Sequence, residues 1–258
     1  MTTFQIKVIA ITFMVIDHVG LLFFPQILWF RVVGRLAFPL FAWCIANGAY
    51  YSKNRNTYLK RLFLFALVAQ IPFILMSRLV DPSFWGLDVL FTLFLGLAAI
   101  LLMEKSKNIL IAILIVVISA GIADLFNTDY GAMGVLAVVA FYISFKNVKK
   151  LVILQLCVFM LFNIIPTAVI IAFNGVSNPI IPVASFMLCG INCLNTSLKS
   201  SFALPVVSIT LNIIEPLGLF SLFFIALYNN REGRKMKYFF YWFYPVHLLI
   251  LYCIKLFV

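Results

Sequence analysis

Apolar stretches long enough to cross a bilayer recur along almost the whole chain, and only short loops separate them. About 20 apolar residues of helix are needed to cross about 30 Å of hydrocarbon. The composition agrees: 65% of the residues are hydrophobic and 10% are charged, where a soluble domain carries about 25% charged residues. The chain therefore reads as all-α, a polytopic transmembrane helical bundle, with residues 1–258 forming one integral-membrane domain.

Spans are expected near residues 6–24, 27–49, 58–77, 87–103, 109–126, 131–145, 151–173, 203–228 and 238–257. The stretch 179–194, broken by Pro179 and Pro182, reads as a span or a re-entrant piece, and 203–228, with Pro205 and Glu215-Pro216, as one kinked span or two. The net charge of +11 raises a nucleic-acid reading, but most basic residues sit in four loop clusters: Lys53 to Arg61, Lys105 and Lys107, Lys146 to Lys150, and Arg231 to Lys237. That is the positive-inside pattern, so no nucleic-acid partner is expected and these loops are assigned to the cytoplasm. Parity then gives about nine to eleven spans with the N-terminus cytoplasmic. The cysteines Cys44, Cys157, Cys189, Cys193 and Cys253 form no metal-binding or redox spacing and read as small apolar residues. No small-residue cleavage site follows the first apolar run, so it is expected to be retained.

Within that first run stand Asp17 and His18, and the other histidine of the chain, His247, lies in the last run. Ionisable groups at membrane depth are costly unless paired or facing a polar cavity, which marks them as functional candidates. A rise of about 1.5 Å per residue puts His18 about 18 Å up the first span, in its outer half. Arg31 and Arg35 lie four residues apart on one face, within the first ~12 Å of the descending second span. Gln70, Asp88, Thr92 and His247 reach similar levels, and Asp124, Asp129 and Tyr130 rim the same layer. One polar cavity in the outer half is the expectation. Asp17 also reads as a structural ion-pair partner of Arg31 or Arg35, and Glu215 as support for a helix start. His247 follows Tyr244-Pro245, where a kink frees a carbonyl that an imidazole can cap.

Histidine is the usual general base near neutral pH, and arginine is a permanent cation suited to phosphate or a developing oxyanion. Asp17 lies about 100° around the helix from His18, so a carboxylate from another helix, such as Asp88, is better placed to orient the imidazole. Base plus cationic clamp suits acyl transfer from an anionic thioester and equally suits proton-coupled transport. No HExxH, Walker-type loop or GxSxG is present, and no metal site is expected.

Several blocks carry a family resemblance: IKVIAITFMVIDHVG at 6–20, VGRLAFPLFAWCIANG at 33–48, YLKRLFLFALVAQIPF at 58–73, LFTLFLGL at 90–97, LYNNREG at 227–233 and FYWFYPVHLLIL at 240–251. In that order the chain resembles the TraX family of integral membrane proteins, named for an enzyme that acetylates the N-terminus of conjugative pilin. The family looks like a branch of a wider group of transmembrane acyltransferases, some with a similar FPxF-containing helix. The resemblance implies a membrane-bound acetyltransferase of a bacterial inner membrane, using acetyl-CoA, with His18 as base or acyl carrier and Asp17 and His247 assisting. Arg31, Arg35, Gln70, Asp88, Thr92, Asp129 and Tyr130 are then expected to bind substrate or cofactor. The partners would be membrane lipid, the coenzyme A thioester and an acceptor amine or hydroxyl on a pilin-like protein or surface glycan. Asn230 and Glu232 depart from a family pattern closer to YNGKRG, which weakens that loop as a grip for CoA phosphates. The alternatives are a proton-coupled transporter and a non-catalytic assembly factor.

Overall fold

A computed structural model describes residues 1–164 and 215–257. Helix α1 (Thr3–Phe23) begins in a capping box: the Thr2 hydroxyl accepts from the Gln5 amide, and the Gln5 side chain accepts from the Thr2 amide. Two otherwise orphaned donors are satisfied in this way. Helices α4 (Arg55–Val80), α6 (Ile109–Leu125) and α8 (Val148–Phe159) each begin at an asparagine cap, Asn54, Asn108 and Asn147. Helix α5 (Val89–Met103) begins at Asp88, whose carboxylate accepts from the Leu90 amide at 2.7 Å. The remaining helices are α2 (Leu28–Gly34), α3 (Ala37–Tyr51), α7 (Gly131–Ile143), the short α9 (Leu222–Ala226) and α10 (Lys237–Phe257).

Among the described residues, four helical segments are long and apolar enough to cross a membrane: Thr3–Phe23, Trp29–Tyr51, Arg55–Val80 and Tyr238–Phe257. Shorter apolar helices occupy Val89–Met103, Ile109–Leu125, Gly131–Ile143 and Glu215–Ala226. The arrangement is that of a multi-pass membrane protein. The stretch 179–194, Pro205, and the later part of the expected span 151–173 lie outside the described residues.

The expected span at 27–49 is present as Trp29–Tyr51 and carries a tightened turn within it. Arg35 and Leu36 form a tightened turn between α2 and α3, with Leu36 donating to the Val33 carbonyl at 3.2 Å. The physical reason is Pro39, which lacks the amide that would otherwise bond the Arg35 carbonyl. Gly218 occupies the space beside that carbonyl, where a Cβ would come within 2.8 Å of the oxygen.

Helix α3 runs through the centre, with Leu40, Trp43, Ala46 and Ala49 buried against α1 and α7. Helices α5, α6 and α7 pack on one another, α10 packs on α4, and α1 packs on α2 and α3. Small residues set the closest approaches: a Cβ on Gly96 would meet Val138 at 2.8 Å, and one on Gly20 would meet Phe30 at 2.2 Å. Helix α6 turns Ile113, Leu114, Val117 and Ile118 outward, as expected for a lipid-facing helix.

All four basic clusters gather at one end of the bundle. There the start of the chain pairs with the loop before α10: Thr3 donates to the Arg231 carbonyl at 2.9 Å and Phe4 to the Glu232 carbonyl at 3.0 Å. Glu104 joins Arg55 and Tyr142 at the same end. At the opposite end the loop before α5 pairs with the loop after α6, through Leu87 to the Asn127 carbonyl at 3.1 Å and Asp129 to the Leu87 carbonyl at 2.8 Å.

A glycine pair provides the test of this packing. A Cβ on Gly34 would lie 2.1 Å from the Asp17 carboxylate, whereas one on Gly121 would have nothing within 4 Å. Gly34→Ala is expected to destabilise the protein by about 1–3 kcal/mol, the usual range for overpacking. Gly121→Ala is expected to be neutral or slightly stabilising. Thermal unfolding of both variants in nanodiscs measures the difference.

Candidate functional site

Helix α1 presents Asp17 and His18 on different sides, as residues about 100° apart must be. His18 faces α10, and its Nδ1 lies 2.8 Å from Nε2 of His247. The two rings are stacked, with centroids 5.0 Å apart and planes 11° from parallel. Nδ1 of His247 lies 2.9 Å from the Phe243 carbonyl. A carbonyl only accepts, so this nitrogen carries the proton and donates. In neutral His247 the Nε2 lone pair then accepts from Nδ1–H of His18, and the free lone pair of neutral His18 is on Nε2. The expected cap of a backbone carbonyl by His247 is present, on Phe243 four residues back; Pro245 leaves a different carbonyl, Tyr241, without its helical donor.

Asp17 faces α2. One carboxylate oxygen sits 2.7 Å from Arg31 Nη1 and the other 3.9 Å from Arg35 Nη2. Arg35 also reaches Glu215 at 2.5 Å and donates to the Tyr130 hydroxyl at 3.3 Å. The four side chains are largely buried and their charges balance, two cations against two carboxylates. Gly34 makes room for Asp17, and Phe38 stacks on Tyr130 with centroids 3.8 Å apart. Tyr130 has φ of +65°, a left-handed conformation unusual for a side chain of this size, and it immediately precedes α7.

Gln70, Asp88 and Thr92 hold backbone. Gln70 donates to the Gly86 carbonyl at 2.7 Å and accepts from the Asp88 amide at 2.9 Å. Asp88 is fully buried as the cap of α5, so the expected pairing of its carboxylate with His18 does not occur; the partner of His18 is His247. The Thr92 hydroxyl bonds Thr128 at 2.9 Å and the Asp129 carbonyl. The Asp129 side chain is exposed at the rim. Asp124 accepts from the Ala132 amide at 2.7 Å, at the start of α7. The single polar layer expected from depth therefore consists of three groupings: the histidine pair, the four-charge network with Tyr130, and a backbone clasp. Glu215, expected only to support a helix start, is the missing member of the network. Charge balance was the available signal, since two arginines at one depth need more than Asp17.

A cavity of about 490 Å³ opens at the basic end between α1, α3, α4 and α10. Lys7 and Arg61 line it near the mouth, and Met14, Leu90 and Tyr244 line its inner part. Met14 lies one helical turn from His18, and the Tyr244 ring centroid is 5.6 Å from that of His247. The cavity thus leads from the basic end toward the histidine pair, with Met14 and Tyr244 between.

Residues 3–255 match the family model described as TraX protein. A relative in Dichelobacter nodosus, described as "Probable fimbrial assembly protein FimC, serogroup H1", is 29% identical over 273 residues, covering 99% of this chain and 96% of that protein. An Escherichia coli relative described as "Protein TraX" is 28% identical over 185 residues, covering 71% of this chain and 70% of that protein. No solved structure matches the chain.

The charge network carries its own test. Arg35→Gln leaves Glu215 and part of Asp17 uncompensated, and a loss of about 3–5 kcal/mol is expected, as for other broken buried pairs. The double variant Arg35→Met/Glu215→Met removes both charges and should regain most of that loss. Denaturation of the single and double variants in the same detergent gives the coupling.

Proposed function

The chain belongs to the TraX family, and on that premise we propose that it is an integral-membrane acetyltransferase. It moves acetyl from acetyl-CoA to an amine or hydroxyl of a pilin-like protein or surface glycan. The observation that carries this reading is the hydrogen-bond chain from the Phe243 carbonyl through His247 to His18. It leaves Nε2 of His18 as a base whose other nitrogen is held by hydrogen bond, the arrangement general-base catalysis requires.

In the proposed reaction the acceptor nitrogen or oxygen attacks the thioester carbonyl, and Nε2 of His18 takes its proton. The tetrahedral oxyanion is stabilised by a nearby cation, for which Arg31, held by the single carboxylate Asp17, is the candidate. Collapse breaks the carbon–sulfur bond, and the thiolate leaves with the proton from the His18 imidazolium. The products are the acetylated acceptor and coenzyme A. His247 keeps His18 in the productive tautomer. Arg35, engaged by Glu215, Asp17 and Tyr130, positions the network and takes no part in proton transfer.

A second reading, a non-catalytic assembly factor, draws support from the description of the Dichelobacter relative as a fimbrial assembly protein. The two readings differ at His18. With acetyl-CoA and a set of pilin-like peptides in nanodiscs, His18→Ala is expected to lower turnover by about 10²- to 10⁴-fold, the usual worth of a general base. His247→Phe, which keeps the stacked ring and removes the hydrogen-bond acceptor, should lower turnover by a smaller factor. Turnover unchanged in a folded His18→Ala variant, or absence of turnover paired with intact appendage assembly in cells, would sink the catalytic reading.

A further inference from the structure

We infer that the cavity at the basic end is the binding site of an extended ligand with an anionic, phosphate-bearing head, its head at Lys7 and Arg61 and its far end beneath the His18–His247 pair. That the ligand is acetyl-CoA rests on the acetyl-transfer reading above; the anion site stands on its own geometry.

The argument starts from unpaired charge. Arg31, Arg35 and Arg55 each have a carboxylate partner. Lys7 and Arg61, both in the cavity wall, form no ion pair among the described residues. The one carboxylate in that wall, Glu232, is turned to solvent and faces Lys235 at 3.6 Å. Arg61 Nε is buried without a hydrogen-bond partner, and so is Asn47 Oδ1 in the same wall. A buried donor on a cation and a buried acceptor, on two side chains that line one cavity, are costly to leave unmet.

The rest of the wall describes the remainder of the ligand. Lys7 lies over the Phe240 ring at 5.5 Å, so its stem is held against α10. Beyond it the lining becomes apolar and aromatic as far as Met14, Leu90 and Tyr244. Lys7 and His18 are about 16 Å apart along α1, which calls for an elongated arm. Such a ligand also resolves how a donor entering from the basic end meets a histidine set far up α1. Met14, unbranched and adaptable, is the side chain best suited to move aside at the inner end.

A coenzyme A thioester and an anionic lysolipid share this chemistry, and the experiment separates them. Binding of labelled acetyl-CoA and of lysophosphatidylglycerol is measured on the full chain in nanodiscs of neutral lipid, for wild type, Lys7→Gln/Arg61→Gln and Lys107→Gln, an exposed lysine outside the cavity wall. In parallel, alkylation of Cys44, which is buried in the cavity wall, is followed by peptide mass spectrometry on the unaltered protein. The expected result is acetyl-CoA binding weakened roughly 10- to 100-fold by Lys7→Gln/Arg61→Gln, as for lost hydrogen bonds to charge. Binding should be unchanged in Lys107→Gln, and alkylation of Cys44 should be slowed by the ligand. Equal acetyl-CoA binding by wild type and Lys7→Gln/Arg61→Gln, with Cys44 unprotected, overturns the cavity site and leaves acetyl transfer standing. Lysolipid binding with the same dependence on the two cations, and none of acetyl-CoA, sustains the site and overturns the acetyl-transfer reading. Neither ligand binding nor protecting Cys44 overturns the inference. If Lys7→Gln/Arg61→Gln fails to fold, Cys44 protection in the unaltered protein decides.

Discussion

Four charges buried among apolar helices hold this protein in one arrangement. Asp17 on α1 meets Arg31 and Arg35 at the end of α2, and Arg35 meets Glu215. Each of these side chains alone would be costly at membrane depth, so each specifies its partners as well as attracting them. The supporting residues follow from that requirement. Gly34 gives Asp17 its space, Pro39 helps to end the α2 segment where Arg35 must turn, and Gly218 lets Glu215 approach. Because Asp17 and His18 are consecutive, fixing Asp17 toward α2 also fixes His18 toward α10. The ion-pair network thereby orients the imidazole without touching it.

The two ends of the bundle differ in how they use cations. At the end holding the network, arginine is matched to carboxylate and hydroxyl. At the basic end Glu104 takes Arg55 and Tyr142, yet among the described residues no carboxylate pairs with Lys7 or Arg61 beside the cavity, and Arg61 meets the Tyr241 hydroxyl. Matched charge builds structure, and unmatched charge next to open space invites a ligand. The polar groups near α5 fall in the first class: Gln70, Asp88 and Thr92 tie two loops together through backbone atoms.

Much of this was legible in the sequence because membrane depth follows from counting residues. The helical class, the main span positions and the common level of Asp17, His18, Arg31, Arg35 and His247 all came from that count. The span at 27–49 holds as Trp29–Tyr51; the tightened turn at Arg35 inside it was not read, although Pro39 carried the signal. What depth does not supply is rotation about the helix axis. Asp88 shares a level with His18 but is turned to cap its own helix, whereas His247, from the far end of the chain, is turned inward. Glu215 was read by its neighbour Pro216, a local rule, when its partner lies 180 residues away. Arg61 was read as a topology signal and Lys7 was not singled out, because a linear pattern does not reveal that the two line one cavity.

The separation of His18 from His247, 229 residues along the chain, bears on how the protein is made. Asp17 finds Arg31 as soon as the second apolar segment enters the membrane, so the costliest group on α1 is neutralised early in synthesis. His18 has no such neighbour and waits for α10, whose histidine follows 229 residues later. Until then the ribosome has released a bundle that is charge-balanced and yet chemically incomplete. A chain cut short before α10 would insert with His18 unpartnered, which makes the arrival of α10 the step that arms the site.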